Sequence, residues 1–254
     1  MSWVRVSGYP FRRRASISID NTAGAAGPID ATVSIPVTLD EFWDTIDSSG
    51  IELRVTDADG VTVLPYSLAS FNKTNRTGTI EIDGYTAPAA GMLQVFLYWD
   101  ATGAPTGAVA TVIAAAKTGY IETCGPATID RIKAGPLRPG DTRPRQMIGK
   151  ATDETRDVWI DLASWIPRRS MPFQGRYECD ELDYATYVCT AAGASQAGMV
   201  DATKTRYYAG RFLRVRVLSG ADGTDYTLTP TVRTVEGLVL TPRSWLKVRD
   251  QDEA

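Results

Sequence analysis

Short segments in which apolar and polar residues alternate recur along this 254-residue chain, and they constrain its fold more than any other feature. A period of two puts the apolar side chains on one face of an extended strand, as in half-buried β-strands. We therefore predict an all-β fold. The predicted strands lie at 15–20, 32–37, 51–55, 61–64, 79–82 and 92–99, and then at 157–162, 212–218, 225–234, 238–240 and 245–248.

One segment has helical instead of alternating spacing. Thr38–Glu41 has the form of a capping box, and Gly50 is a plausible residue for ending the helix. The pattern predicts one short helix near residues 39–48. Its apolar face would consist of Leu39, Phe42, Trp43 and Ile46.

A change in composition divides the chain into two domains. Residues 118–150 are rich in proline and glycine and carry 6 basic against 3 acidic residues, which predicts a basic linker that could also be a docking strip. Residues 1–117 would form an N-terminal β-sandwich domain of jelly-roll type. Residues 151–254 contain about seven short strands in about 100 residues, which fits an immunoglobulin-like sandwich.

The sequence contains no histidine. That excludes Ser-His-Asp and Cys-His catalysis, zinc held by histidine, and a histidine proton shuttle. The 27 basic and 30 acidic residues lack the basic excess of a dedicated nucleic-acid binder. No cofactor, metal site, catalytic residue or nucleic-acid partner is predicted.

Three acidic segments are considered as possible metal or substrate sites. Asp57–Gly60 could begin a calcium loop, but position 12 from Asp57 is Leu68, whereas an EF-hand loop needs a glutamate there, so a tight turn is favoured. Asp222–Asp225 is also favoured as a turn. A further carboxylate cluster could serve a glycosidase but is more typical of a solvated face. Its members are Glu178, Asp180, Glu181 and Asp183.

The cysteines and the N-terminal sequence indicate an intracellular environment. Three cysteines, Cys124, Cys179 and Cys189, do not make a disulfide framework. Free thiols are favoured, and a Cys179–Cys189 pair stays open. No secretory leader is expected, and the Ala-rich stretch 108–116 is too short to cross a bilayer.

The N-terminal half carries a recognisable pattern. It runs from Tyr9–Arg13 through Ile51–Gly60 and Val63–Tyr66 to Leu97–Trp99. Over residues 9–100 this pattern resembles a domain of unknown function found in prokaryotic surface proteins and phage proteins. The resemblance implies a concanavalin-like β-sandwich, a shape often associated with glycan binding.

A second pattern lies in the C-terminal domain. It comprises Lys150–Glu154, Trp159–Trp165, Leu218–Tyr226 and Pro242–Arg249. The pattern resembles the immunoglobulin-like accessory domains of tailed-phage virion proteins, although Ala151-Thr152 and Ser219-Gly220 depart from the usual residues. The resemblance implies a structural role on the particle without catalysis.

Several side chains are candidates for contacts with partners. Tyr85, Tyr98 and Trp99 are candidates for a glycan or partner surface, because aromatic rings beside polar groups bind sugars, although most tryptophans pack in cores. Arginine is favoured at protein interfaces because its planar guanidinium group presents several hydrogen-bond donors. The candidate docking residues are Arg12, Arg13, Arg14, Arg138, Arg143 and Arg145.

These observations lead to one expected function. The chain is expected to be a structural protein of a tailed-bacteriophage virion, assembled in the host cytoplasm, as a capsid decoration or head-fibre component or a neck or tail accessory. It would form a homo-oligomer and bind other virion proteins, with pairing between edge strands as a natural device. It would not associate with a membrane. The alternative is a carbohydrate-binding adhesin module whose partner is a host-surface glycan.

Overall fold

The computed structural model describes residues 4–6, 9–87, 89–101, 117–123, 125, 131–133, 147–162, 165–166, 168–170, 177–179 and 182–249. Almost all regular structure in these ranges is β-strand, so the prediction of an all-β fold is confirmed. The chain forms two compact units, Met1–Gly125 and Pro126–Ala254.

The described residues of the first unit form eight strands, which share one sheet, and one helix. The strands hydrogen-bond in the order β7-β2-β8-β3-β6-β5, with β4 on β7 and β1 on β2. All pairs are antiparallel except β3 with β8. The elements are β1 (Val4–Val6), β2 (Tyr9–Asn21), β3 (Gly27–Ser34), α1 (Asp40–Thr45), β4 (Arg54–Thr56), β5 (Tyr66–Asn72), β6 (Thr77–Ala87), β7 (Gly91–Ala101) and β8 (Lys117–Ile121).

Strand β7 lies at the centre of the first unit's core. Its residues from Gly91 to Trp99 are all buried, so both faces of the strand are covered. The register with β2 places Ile17 opposite Val95 and Ile19 opposite Leu93. These apolar pairs confirm the buried side that the alternating pattern predicted for β2.

Helix α1 confirms the prediction of a short helix, but its ends differ from the predicted ones. Leu39 is the N-cap and no side chain caps the helix, so the prediction of a capping box at Thr38–Glu41 is wrong. The Trp43 indole Nε1 instead donates a hydrogen bond to the Pro36 carbonyl at 2.8 Å, which fixes the entry of the chain. Ile46 ends the helix in an extended conformation, and Gly50, with a φ of 69°, belongs to the following turn.

The Asp57–Gly60 turn is confirmed. The Gly60 amide donates to the Asp57 carbonyl at 2.9 Å, and Gly60 has a φ of 70°, which favours glycine. The strand predicted at 61–64 is reduced to one bridge between Thr56 and Val63. Pro65 follows directly, and the next strand, β5, begins after it.

The structure places strands inside the segment predicted as a linker. Strand β8 lies between β2 and β3 in the first unit. A Cβ at Gly119 of β8 would come within 2.5 Å of Val33 Cγ2 and 3.1 Å of Ile17 Cγ2. Glycine therefore belongs to this strand because its neighbours are packed too closely for a side chain, not because the chain turns there.

The described residues of the second unit form three sheets. One has the order β10-β20-β18-β14, with β15 on β14 and β19 on β18, and the others have the orders β16-β17-β11-β9 and β12-β13. The strands are β9 (Arg131–Lys133), β10 (Met147–Lys150), β11 (Arg156–Asp161), β12 (Arg168–Ser170), β13 (Tyr177–Cys179), β14 (Leu182–Ala191), β15 (Ala194–Ser195), β16 (Val200–Tyr208), β17 (Phe212–Val217), β18 (Asp225–Thr234), β19 (Val239–Leu240) and β20 (Ser244–Val248).

Alternation is clearest in the larger sheets of the second unit. Every second residue of β18, from Tyr226 to Thr234, is buried, and β17 and β20 alternate in the same way. Pro230 fits within β18 because β20 pairs only with Asp225–Leu228 and β19 only with Val232 and Arg233. On one side the proline lies opposite Tyr187 of β14, and on the other side it lies in the gap between β20 and β19.

The terminal strands of two sheets carry irregularities. In β5 the register with β6 shifts between Leu68 and Ser70. In β16 the register with β17 shifts between Asp201 and Arg206. Such shifts bend a strand locally and interrupt the regular row of hydrogen-bonding groups along its edge.

Replacement of Phe42 by alanine tests the core of the first unit. Phe42 is fully buried, and its ring centroid lies 4.9 Å from that of Trp43 and 5.4 Å from that of Trp99. We expect Phe42→Ala to lower the free energy of unfolding by about 3–5 kcal/mol, measured by chemical denaturation. Val61→Ala, at a residue 57% exposed, is the control and should change it by less than about 0.5 kcal/mol. Equal effects would contradict this assignment of the core.

Candidate binding surfaces

The three aromatic residues predicted as a contact surface are core residues. Tyr85, Tyr98 and Trp99 are exposed by 3%, 0% and 2%. The Trp99 indole packs edge-on against Phe42 at 5.4 Å between centroids, and its Nε1 donates to Thr45 Oγ1 at 3.1 Å. Because a ring must expose a face to stack on a sugar, the prediction of a contact surface at these residues is corrected to a packing role.

The three arginines of the run 12–14 contact different neighbours, although Arg12 and Arg13 both lie near Asp100. Arg12 has a side chain 58% exposed, 3.9 Å from Asp100, whereas Arg13 pairs with Glu41 at 3.0 Å. The Arg14 guanidinium lies 4.4 Å from the centre of the Phe96 ring and donates to the Tyr98 hydroxyl. The three arginines therefore do not form one continuous basic patch. Arg138, Arg143 and Arg145 lie outside the described residues.

The predicted carboxylate cluster is described only in part. Asp180 and Glu181 lie outside the described residues, whereas Asp183 is buried and accepts hydrogen bonds from Arg233 Nε, at 2.7 Å, and Nη2. This carboxylate is held in an ion pair. The carboxylates of the Asp57–Gly60 turn are likewise engaged, since Asp59 Oδ1 accepts from the Val61 and Thr62 amides at 2.8 Å each.

A groove beside α1 was not predicted from the sequence. It has a volume of about 550 Å³ and is formed by the helix and the hairpin of β5 and β6. We call it the α1 groove. Its lining consists of Trp43, Asp44, Ser48, Phe71, Asn72, Lys73, Thr74 and Arg76.

Two stacked rings form the apolar part of the α1 groove. The Trp43 and Phe71 rings lie 5.9 Å apart between centroids and 27° from parallel. Trp43 is almost fully buried, while Phe71 is partly exposed. A Cβ at Gly78 would come within 3.3 Å of Trp43 and 3.4 Å of Phe71. Glycine at this position therefore lets both rings lie directly against β6.

The cations of the α1 groove are compensated by neighbours. Arg76 Nη1 lies 2.5 Å from Asp40 Oδ1, and Nη2 lies 3.0 Å from Asp44 Oδ1. Lys73 Nζ donates to the Ile46 carbonyl at 2.5 Å. Each cation is thus held in place by an oxygen acceptor, and a ligand would meet positioned groups instead of mobile charges.

In the second unit, the outer face of the β14–β18 pair is rich in threonine. The register pairs Thr186 with Thr231, Val188 with Thr229, and Thr190 with Thr227. We call these six residues the threonine face. Val188 is 51% exposed and the five threonines are partly exposed. This region of the sheet therefore presents an uncharged row of mostly β-branched side chains to solvent.

The other large sheet of the second unit has an outer face of arginines, aspartates and aromatic rings. Arg216 Nε and Nη2 donate to the two carboxylate oxygens of Asp157 at 2.8 and 2.9 Å. The hydrogen bonds from Arg216 hold the pKa of Asp157 below its usual value, although partial burial opposes this. On the same face, the Arg214 guanidinium lies 5.9 Å from the Trp159 ring centre.

Cys189 is a free thiol buried on the inner side of β14. Burial raises its pKa to about 11, because the thiolate would lose hydration. The interpretation as a free thiol therefore holds for Cys189. Cys124 lies outside the described residues.

Two further observations concern only the described residues. They contain no group of three or more metal-ligating side chains placed to hold an ion. Nor does any helix in those ranges have the length and apolar character required to span a bilayer.

Comparisons with known proteins give weak structural likeness alone. No family model matches the chain, and no curated protein matches it. Among solved structures, a titin A168–A169 substructure shares 9% identity, with 94% of this chain and 92% of that chain covered and a TM-score of 0.24. The Ig1-2 module of the Drosophila receptor protein tyrosine phosphatase DLAR shares 8% identity, with 94% and 100% covered and a TM-score of 0.21. Likeness at this level carries no argument about function.

Replacement of Asp157 by asparagine tests the ion pair with Arg216. A carboxyl whose pKa is lowered by folding stabilises the folded state above its unfolded pKa, and this stabilisation is lost as pH falls through the folded pKa. We expect Asp157→Asn to lower the free energy of unfolding near pH 7 by about 1 kcal/mol or less, because both side chains are partly exposed. Denaturation curves should show the difference disappearing by about pH 2. A difference that is constant with pH would contradict the ion-pair contribution.

The burial of Cys189 predicts a thiol that is protected in the folded state. Because the thiolate is the reactive form, iodoacetamide at about pH 8 should leave Cys189 unmodified in native protein and modify it after denaturation. Peptide mass spectrometry measures the modified fraction of Cys189. Modification at the same rate in both states would show that this thiol is accessible.

Proposed function

We propose that this chain is a structural protein of a tailed-bacteriophage virion, as a capsid decoration or head-fibre component, that acts by binding neighbouring virion proteins. The class of particle is supported by the resemblance of the C-terminal sequence motifs to phage immunoglobulin-like accessory domains. The mode of action is supported by the threonine face, which is the observation that carries the proposal.

The threonine face has the properties of a preformed docking surface. Threonine and valine are branched at Cβ and have few χ1 rotamers, so little side-chain entropy is lost when a partner covers them. Charged residues are depleted at the centres of protein interfaces, and this face has none among its six members. Its rim carries a partly exposed aromatic ring and a cation, since Thr227 pairs with Trp245 and Asp225 with Lys247.

A binding role is also supported by the way acidic side chains are used. Asp59 organises a turn, Asp157 pairs with Arg216, and Asp183 pairs with Arg233. These interactions hold the three carboxylates in structural roles, and those of Asp157 and Asp183 also position partly exposed arginines. We therefore propose that the chain is a non-enzymatic protein of the virion, where symmetric copies would contact capsid, neck or tail subunits.

The test combines a charge placed on the threonine face with particle purification. Val188→Glu together with Thr229→Lys places charges on opposite residues of the β14–β18 ladder, where each would be desolvated by a docked partner. We expect the amount of this variant that co-sediments with purified particles to fall by about tenfold or more. Immunoblotting of the particle fraction measures it, and negative-stain imaging shows whether the projecting density is lost.

A matched control separates docking from folding. Asp222→Lys changes charge in the exposed turn before β18 and should leave particle association unchanged. Thermal denaturation of both proteins should show that the face variant is folded. The proposal is overturned if the wild-type chain never co-purifies with particles, or if the face variant binds them as the wild type does.

A further inference from the structure

We infer that the α1 groove is a binding site for a neutral saccharide. This inference goes beyond the proposed role in assembly and does not depend on it. It concerns the first unit alone and residues distinct from Tyr85, Tyr98 and Trp99, which are buried.

The size of the α1 groove suits a small polar molecule. Its volume of about 550 Å³ lies within the range of about 300–1,000 Å³ typical of small-molecule sites. Six of its eight lining residues carry polar or charged side chains, and two are aromatic. A wholly apolar ligand would leave those polar groups without partners, and this costs affinity.

The partly exposed Phe71 ring would serve as the stacking platform for one face of a sugar. Trp43 stacks against this ring and fixes its orientation, and Phe42 packs edge-on against it at 6.4 Å between centroids. The C–H groups on one face of a pyranose are apolar and carry slight positive charge, which the negative face of an aromatic ring attracts. A ring that is already held in place loses no further entropy on binding.

The rim offers partners for sugar hydroxyls. Asp44 provides carboxylate acceptors, Asn72 an amide that both donates and accepts, and Ser48 and Thr74 hydroxyls. A carboxylate has room for about four hydrogen bonds, so the pairing of Asp44 with Arg76 leaves acceptor capacity while fixing its position. Each sugar hydroxyl can both donate and accept a hydrogen bond, so it can pair with the acceptors and the donors of this rim.

The charge arrangement favours a neutral ligand over an anion. Arg76 is shared between Asp40 and Asp44, and Lys73 is bound to the Ile46 carbonyl. A phosphate, sulfate or carboxylate would have to compete with two carboxylates for Arg76 and would be repelled by them. The hydroxyls of a neutral sugar can bond to these groups without breaking the ion pairs.

The experiment uses the full chain in solution and a panel of neutral methyl glycosides of glucose, galactose, mannose, rhamnose and N-acetylglucosamine. Backbone and indole resonances are followed by ¹H–¹⁵N correlation spectra during titration. We expect at least one glycoside to shift resonances from 43–48 and 71–76, including the Trp43 indole N–H. Sodium phosphate and sodium sulfate at equal ionic strength should not shift the same set.

Two variants and one control locate the site. Phe71→Leu removes the aromatic platform, and Asp44→Asn, at an exposed position, removes the negative charge and replaces one carboxylate acceptor with an NH2 donor. Thermal denaturation of both variants shows that they are folded. Each should weaken binding of the responding glycoside by about tenfold or more, while Val61→Ala should not change it. The inference is overturned if no glycoside shifts these resonances, if both variants bind as the wild type does, or if phosphate or sulfate competes for the site. None of these outcomes depends on particle association.

Discussion

The antiparallel pairing of β2 with β7 is the interaction on which the first unit depends. Its register runs from Phe11–Ala101 to Asn21–Gly91, and it decides which side chains face α1. Because side chains alternate along a strand, a slip of one residue would exchange the two faces. The same register sets Arg13 opposite Trp99, close to Glu41 and Thr45 of the helix. The position of α1, and with it the groove beside the helix, follows from this ladder.

Alternation in the sequence was sufficient to predict β2, β17, β18 and β20, because the buried side of each strand is apolar and the other side is more polar. Strand β7 was predicted from its largely apolar run, and both of its faces are buried. The same rule missed β14, where exposed Val188 lies beside buried Cys189 and the two faces differ little in polarity. It also missed β8, most of which lies in the proline- and glycine-rich segment predicted as a linker, although close packing explains the glycine at position 119. The capping box failed because the helix has Leu39 as its N-cap, and a hydrogen bond from the Trp43 indole to the Pro36 carbonyl holds the start of the helix to the preceding chain.

The candidate sites were harder to predict than the strands, for a physical reason. An aromatic residue in a strand has the same local signal whether it packs or binds, and β7 buries both of its faces, so Tyr98 and Trp99 are both internal. The α1 groove instead depends on Trp43 and Phe71, which are separated along the chain. Their rings meet where α1 packs on the β5–β6 hairpin beside Gly78. Such a site depends on tertiary contacts, and local sequence patterns do not record them.

The register shifts in β5 and β16 have a consequence for how copies of this chain could pair through their strand edges. A regular edge strand presents unpaired N–H and C=O groups to which another strand can hydrogen-bond with little regard to its sequence. Copies of a chain with such an edge can therefore aggregate through strand pairing. The interruptions between Leu68 and Ser70 and between Asp201 and Arg206 remove that continuous template. Under the proposed function, contact between copies would therefore depend on side-chain complementarity instead of strand addition, and such contacts can saturate at a fixed stoichiometry.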